Sequence, residues 1–175
     1  MKNRITIDKY FLNICNSVSK RATCPRKSVG CTIVKDGRIL SSGYNGSPKG
    51  FEHCTEVGCK LINNHCVRVV HAEMNALLFA GRDAKEATLY STTLPCEICL
   101  KLAIQSGIKK IIYEEDYNKE IVEWLLQESE IEIIKYEKCK YCNEYCTKRS
   151  EIIHKSGIHN GCTEILYCCE KMVKE

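Results

Sequence analysis

The sequence predicts an α/β protein in which helices cover both faces of a mixed sheet. Residues 29–34 are typical of a buried strand, and Asp36-Gly37 supplies a hairpin turn into a second strand at 38–42. After this hairpin, helical and strand-like segments alternate as far as residue 134. Such an alternation is typical of a sheet that lies between two helical layers.

Each further element is predicted from its own pattern. Apolar residues at helical spacing over 4–20 indicate an amphipathic helix, and residues 43–70, with their glycine, cysteine and histidine, indicate a loop. Residues 71–80 predict a helix that ends at Gly81 and buries a stripe formed by Met74, Leu77 and Leu78. The rest of the chain predicts strands at 87–92, 110–113 and 131–134 and helices at 96–106 and 118–128.

Composition and charge restrict the classes of function. With 175 residues, 44% of them hydrophobic and 27% charged, the chain fits an ordinary globular protein. We expect a cytoplasmic protein, because no apolar run reaches the ~20 residues of a membrane span and the N-terminus lacks the hydrophobic segment of a signal peptide. Fourteen cysteines in a reducing compartment favour metal binding over disulfides. A net charge of +4 without a basic stripe favours a small anionic ligand over nucleic acid.

The character of the sequence changes near residue 138. We predict a first domain at 1–137 and a cysteine-rich extension at 138–175 that is too short and polar for a core of its own. Metal binding by the extension is one interpretation, and disorder with incidental cysteines is the other. The predicted ligands of this tail site are Cys139, Cys142, Cys146 and Cys162.

A cluster of metal-binding residue types stands out in the first domain. His71 and Glu73 begin one predicted helix, and Cys96 and Cys99 follow Pro95 at the start of another. Imidazole and thiolates suit Zn²⁺, three protein ligands leave one tetrahedral position for water, and Glu73 would carry its proton. A structural zinc site is the alternative. The order His-x-Glu then Pro-Cys-x-x-Cys is typical of zinc-dependent nucleobase deaminases, so we predict catalysis.

Together with this motif, several other segments resemble the deoxycytidylate deaminases, in particular the bacterial competence-operon type. The resemblance extends over about residues 5–136, with its segments in the family's order, and does not cover the tail. The matching segments are residues 28–30, 43–48, 53–54, 57–59, 64–68, 106–110 and 115–117.

This resemblance implies a cytidine-deaminase-like three-layer α/β/α fold with a five-stranded mixed sheet. It implies zinc-dependent hydrolysis of dCMP to dUMP with release of ammonia, which would supply dUMP for thymidylate synthesis. It further implies a homo-oligomer, often a hexamer, that dCTP activates together with Mg²⁺ and dTTP inhibits. The candidate contacts for the regulatory nucleotide are Gly43, Tyr44, Asn45 and Gly46.

The resemblance also suggests residues for the substrate. Asn45 resembles the asparagine that the family places near the sugar, although a turn residue before glycine is an equal alternative. Arg26 is a candidate for the phosphate, since guanidinium binds phosphate oxygens in a bidentate manner, and a solvated loop arginine is the alternative. His65, Ala72 and Tyr117 match positions around the nucleotide pocket.

Four further cysteines form a second candidate metal site, because some members of the family carry an additional structural zinc in this region. Free buried thiols are the alternative. The predicted ligands are Cys24, Cys54, Cys59 and Cys66.

Three rival functions stay open. A tRNA or single-strand DNA deaminase would use the same zinc chemistry but needs a basic channel, which the sequence does not show. A non-enzymatic zinc-binding competence or assembly protein would have no use for Glu73. A deaminase of free cytidine would differ only in not requiring a 5′-phosphate.

Overall fold

A computed structural model of the chain describes residues 4–136 and 152–153. Ten of its elements belong to the sheet and the helices around it. In chain order the elements are α1 (Ile7–Ser19), β1 (Gly30–Lys35), β2 (Arg38–Tyr44), α2 (Cys54–Val57), β3 (Leu61–Ile62), β4 (His65–Cys66), α3 (Ala72–Ala80), a 3₁₀ turn (Gly81–Ala84), β5 (Thr88–Thr93), α4 (Glu97–Gln105), β6 (Lys110–Glu115), α5 (Lys119–Glu128), β7 (Glu132–Lys135) and β8 (Ile152–Ile153).

The central sheet has the strand order β2-β1-β5-β6-β7-β8. Strand β1 is antiparallel to both β2 and β5, whereas β5, β6 and β7 run parallel. The predicted five-stranded mixed sheet is therefore confirmed, and the short β8 adds an antiparallel strand beside β7. The predicted tail ligands lie outside the described residues, so the tail site and the domain boundary near 138 stay predictions.

The hairpin between β1 and β2 forms where the sequence predicts it. Asp36 and Gly37 have φ values of 51° and 72°. Two consecutive positive φ values define the type I′ turn, whose twist matches that of the flanking strands. Strand β1 lies inside the sheet because its other side pairs with β5, and β2 lies at the edge.

Two helical layers enclose the sheet and confirm the three-layer architecture. Helix α1 buries Phe11, Leu12 and Cys15 against one face, where they meet Tyr90 and Ile112 of the sheet. Helices α3, α4 and α5 cover the opposite face, and their buried residues form one continuous core with apolar residues of β1, β5, β6 and β7. Within the described ranges, no helix is long and apolar enough to cross a membrane.

The buried face of α3 differs from the predicted stripe. Leu77 is buried, but Leu78 is 75% exposed, and small residues such as Ala72 and Ala76 face the core. The reason is a close approach to β2, because a Cβ added to Gly43 would lie 2.3 Å from the carbonyl oxygen of Ala72. Only small side chains fit between two backbones at this distance.

Residues 43–70 are more ordered than the predicted loop. They contain the short α2 and a separate hairpin of β3 and β4. Asn63 and Asn64 both have positive φ values, 48° and 63°, as a tight hairpin turn requires. The Asn-Asn pair could have indicated this turn, but its strands are only two residues long and give no periodicity.

Candidate active site

The starts of two helices bring the predicted zinc ligands together. His71 is the N-cap of α3, Cys96 is the N-cap of α4, and Cys99 lies in the first turn of α4. His71 Nδ1 is 3.4 Å from each of the two Sγ atoms. In a zinc tetrahedron with the usual bond lengths, N and S lie about 3.6 Å apart. The donor set and its spacing therefore fit zinc, with one corner left for water.

Backbone hydrogen bonds fix both helix starts. Gly46 and Val70 exchange two hydrogen bonds, of 3.1 and 2.9 Å, just before His71. On the other side, the Leu94 N–H donates to the carbonyl of Glu115 over 2.8 Å and anchors the turn that leads into Cys96. The ligands thus lie beyond the end of β5, at the edge where the parallel strands end.

The ligand side chains influence each other's protonation. A hydrogen bond from Cys99 and then one from His71 lower the pKa of Cys96 to about 4, in opposition to burial. The hydrogen bond to Cys96 and burial raise the pKa of Cys99, and the bond with Cys96 also raises the pKa of His71. The lowered pKa favours the thiolate form of Cys96, which is the form in which cysteine binds metals.

Glu73 lies beside the ligands in the first turn of α3 and is only 4% exposed. Burial raises the pKa of its carboxyl group above the ordinary value. A raised pKa lies closer to neutral pH, which favours the proton exchange that a general acid and base must carry out. The Ser91 hydroxyl donates a hydrogen bond of 3.2 Å to Glu73 Oε1, a contact that the sequence prediction missed.

A cavity of about 320 Å³ opens in front of these residues. Its size is in the range of pockets for small ligands. The wall contains His71, Glu73 and Cys96, so the cavity reaches the reactive groups. All five residues predicted to bind the substrate also line it, namely Arg26, Asn45, His65, Ala72 and Tyr117.

The side chain of Asn45 holds the segment before β1 in place. Its Oδ1 accepts a hydrogen bond from the Val29 N–H and its Nδ2 donates one to the Lys27 carbonyl, both over 2.8 Å. Because Asn45 is 6% exposed, these bonds are shielded from water. Asn45 is thus more than a turn residue, and its contact with a sugar stays a prediction.

Two basic side chains belong to the cavity wall. Arg26 is exposed, and its Nη1 donates a hydrogen bond of 2.8 Å to the Asn64 carbonyl in the β3–β4 hairpin. Lys27, which the sequence prediction missed, lies 3.3 Å from Glu115 Oε2. Its position next to Arg26 could have indicated it. The cavity therefore offers two cations to an anionic ligand.

A second group of thiols lies near the cavity. The Sγ atoms of Cys54, Cys59 and Cys66 are all within 4.8 Å of one another. Burial and the neighbouring thiols raise the pKa of Cys59 to about 11, while hydrogen bonds from the Arg68 backbone, Cys54 and Cys59 outweigh burial and lower that of Cys66. The structure does not bring Cys24, the fourth predicted ligand, into this group. Cys24 instead lies on the cavity wall.

The segment predicted to contact a regulatory nucleotide is occupied by packing contacts. Gly43 faces the backbone of α3, and the Tyr44 carbonyl accepts a hydrogen bond of 2.8 Å from Asn75 Nδ2. A Cβ added to Gly46 would lie 2.8 Å from Thr23 Oγ1. These contacts explain both glycines without a nucleotide, whose binding here stays a prediction.

Comparison with known proteins agrees with this site. Residues 5–115 match the family model of the cytidine and deoxycytidylate deaminase zinc-binding region. The chain is 47% identical over 117 residues to ComE operon protein 2 of Bacillus subtilis, covering 65% of this chain and 62% of that protein. It is 38% identical over 118 residues to deoxycytidylate deaminase of Saccharomyces cerevisiae, covering 63% and 38% respectively. The chain thus spans less than two thirds of these two relatives.

A shorter relative and a solved structure match over nearly their whole length. Deoxycytidylate deaminase of Mycobacterium phage D29 is 38% identical over 122 residues, which cover 62% of this chain and 94% of that protein. The dCMP deaminase of cyanophage S-TIM5, solved in complex with dCMP and dUMP, superimposes with a TM-score of 0.64 at 30% identity. This superposition covers 75% of this chain and 99% of the phage chain, so the two share the fold.

Proposed function

We propose that this chain, which belongs to the family of cytidine and deoxycytidylate deaminases, hydrolyses the 4-amino group of dCMP to give dUMP and ammonia. The observation that carries the proposal is the buried Glu73 carboxyl group beside three zinc-binding atoms, at the wall of a cavity with two cations. The dUMP formed would supply thymidylate synthesis. The cytoplasmic location expected from the sequence stays a prediction.

The chain's own residues divide the chemical work. His71, Cys96 and Cys99 would hold the zinc ion, which would lower the pKa of a water molecule to about 7. Glu73 accepts a proton from the attacking water and delivers it to N3 of cytosine, which makes C4 electrophilic. The same carboxyl group then passes a proton to the departing amine. One water is consumed for each ammonia released.

The basic side of the cavity wall, formed by Arg26 and Lys27, would recognise the 5′-phosphate. Arg26 and Lys27 would bind the phosphate oxygens, with His65 and Tyr117 beside the nucleotide. In this arrangement the phosphate replaces Glu115 as the partner of Lys27. A free nucleoside lacks this charge, so we expect it to bind much more weakly.

A substrate panel tests the proposal. The purified full chain is offered dCMP, dCTP, deoxycytidine and a cytosine oligonucleotide, and the uracil product is measured for each. We expect dCMP to be the best substrate by kcat/KM. Preference for the oligonucleotide would support a nucleic-acid deaminase, preference for deoxycytidine a nucleoside deaminase, and no turnover at all a non-enzymatic zinc protein.

A matched pair of variants sharpens this test. Lys27→Ala should raise KM for dCMP and leave turnover of deoxycytidine unchanged, because only dCMP carries a phosphate. Arg38→Ala removes an exposed charge on β2, outside the cavity, and serves as the control. Equal effects of Lys27→Ala on both substrates would contradict phosphate recognition by this wall.

The Cys54, Cys59 and Cys66 thiols support the proposal of a second, structural zinc. Closing residues 54–66 through a metal would order a segment with little apolar burial. Metal analysis should find one zinc fewer in Cys59→Ser than in the parent chain. Loss of one zinc in Cys24→Ser as well would identify Cys24 as the fourth ligand, whereas an unchanged zinc content in Cys59→Ser would exclude the site.

Regulation and assembly complete the proposed function. We expect dCTP with Mg²⁺ to raise the rate at low dCMP concentration and dTTP to lower it, with Gly43, Tyr44, Asn45 and Gly46 near the effector. We also expect a homo-oligomer, which in this family is often a hexamer. Light scattering measures the mass of the assembly directly. A rate that neither dCTP nor dTTP changes would contradict the expected regulation, and a monomer in solution would contradict the expected assembly.

A further inference from the structure

Ser91 places a hydroxyl group where the sheet otherwise buries apolar side chains. It lies in the middle of β5, opposite Cys31 of β1 and Tyr113 of β6. Ser91, Cys31 and Tyr113 are all 0% exposed. A hydroxyl group buried without a partner is costly, so this serine must have one.

The partners of the Ser91 hydroxyl give it a direction. Its Oγ accepts a hydrogen bond from the Thr93 N–H over 3.3 Å. The hydroxyl proton is then free to point away from the strand, and it is donated to Glu73 Oε1 over 3.2 Å. A short chain of hydrogen bonds thus joins the end of β5, three residues before Cys96, to the carboxyl group on α3.

Glu73 depends on such a contact for its orientation. A glutamate side chain has three rotatable bonds, and the carboxyl group turns about the last of them with little preference. The bond from Ser91 engages Oε1 from the side of β5. Misplacement of a catalytic group by about 1 Å can cost about 100-fold in rate.

We propose that Ser91 is the positioning residue of the general acid and base Glu73. Its hydroxyl group holds one carboxylate oxygen, so that the other faces the open coordination position beside His71, Cys96 and Cys99. This inference rests on the proposed deamination of dCMP. It assigns Ser91 no contact with the substrate, so its removal should change kcat and not KM.

Two variants that differ by one hydroxyl group test the role. Ser91→Thr and Ser91→Val add nearly the same volume to the packed strand, but only threonine keeps the hydrogen-bond donor. We expect Ser91→Val to lower kcat for dCMP by about 10- to 100-fold with KM unchanged, and Ser91→Thr to recover most of the loss. If either variant fails to fold, Ser91→Ala, which adds no volume, is compared with the parent chain instead.

Two measurements separate positioning from a purely structural role. Zinc content and the free energy of unfolding are determined for each variant, because a structural role would lower stability and leave kcat of the folded fraction unchanged. Crystal structures of the Thr and Val variants should show Oε1 bound to the hydroxyl in the first and a rotated carboxyl group in the second.

The possible failures are distinguishable. Equal kcat in the Thr and Val variants, or in Ser91→Ala and the parent chain, would overturn the proposal while deamination stands. A parent chain that deaminates nothing in the substrate panel would overturn the proposed function, and the crystal structures would still show whether the hydroxyl orients Glu73.

Discussion

Glu73 combines two properties that an acidic residue rarely has together, near-complete burial and a position beside candidate metal ligands. Burial raises the pKa of its carboxyl group, because the charged form loses hydration. The thiols and imidazole beside it belong to a donor set that fits zinc. Glu73 can therefore hold or release a proton at the place where water would be activated.

Replacement of Glu73 should separate metal binding from catalysis. We expect Glu73→Gln and Glu73→Ala to bind zinc normally. Their kcat should fall by about 100- to 10,000-fold, because general acid–base catalysis contributes about that much to the rate. Metal analysis and turnover of dCMP measure the two effects. Glu97→Gln, in the first turn of α4, is the control and should stay active. Near-normal turnover without the Glu73 carboxylate would contradict the mechanism.

Replacement of Asn45 should show whether its bonds to the 27–29 segment matter for folding. We expect Asn45→Ala to lower the free energy of unfolding by about 1–3 kcal/mol, because the Val29 N–H and the Lys27 carbonyl lose buried partners. Urea unfolding measures this, with the exposed Asn13→Ala as the control. A higher KM with unchanged stability would instead support a contact with the sugar alone.

At the scale of elements, the close packing of α3 on β2 sets the position of the site. Gly43 allows the two backbones to approach, and the Ser41 hydroxyl donates a hydrogen bond of 2.7 Å to the carbonyl of Ala76. Helix α3 carries Glu73 and has His71 as its N-cap, so the packing of α3 on β2 helps to position both residues.

Gly43→Ala tests this packing. The added Cβ would lie 2.6 Å from the Ala76 nitrogen, in addition to its contact with Ala72, and backbone atoms cannot turn away as a side chain would. We expect stability to fall by about 1–3 kcal/mol, as for other overpacked sites, together with weaker zinc binding. Ser42→Ala, exposed on the same strand, should change neither. Unaltered thermal unfolding of Gly43→Ala would contradict the close approach.

At the scale of the whole molecule, the second core between α1 and the sheet holds polar groups that respond to pH. Tyr90 packs on Phe11 with ring centroids 5.1 Å apart and donates a hydrogen bond of 2.8 Å to Asp8. Burial and then this bond to Asp8 raise the pKa of Tyr90 well above its ordinary value of 10.0. The folded chain therefore keeps Tyr90 neutral under alkaline conditions.

This shift predicts a loss of stability at high pH. Above pH 10 the unfolded chain releases the tyrosine proton and the folded chain does not, so rising pH favours unfolding. The contribution is fully present below pH 10. We expect the free energy of unfolding to decline less steeply above pH 10 in Tyr90→Phe than in the parent chain. Tyr10→Phe, about half exposed, should decline like the parent chain.

Much of the fold followed from local patterns. The turn at Asp36-Gly37 requires residues that tolerate positive φ, and the alternation of strands and helices defines the layers, so both could be predicted. The face of α3 could not, since Leu77 and Leu78 are equally apolar and only the position of β2 decides which one is buried. The hairpin of β3 and β4 was missed because two-residue strands show no period.

The sequence by itself determined the family and predicted the zinc ligands and the acid–base residue, because ligand chemistry depends on residue type and on spacing along one helix turn. Only the tertiary structure decided that Ser91 reaches Glu73, that Lys27 joins the cavity and that Cys24 lies apart from the other three thiols. Each of these three facts concerns residues that lie far apart in the chain or on different elements. Their distances follow from how the helices pack on the sheet, which no local pattern records.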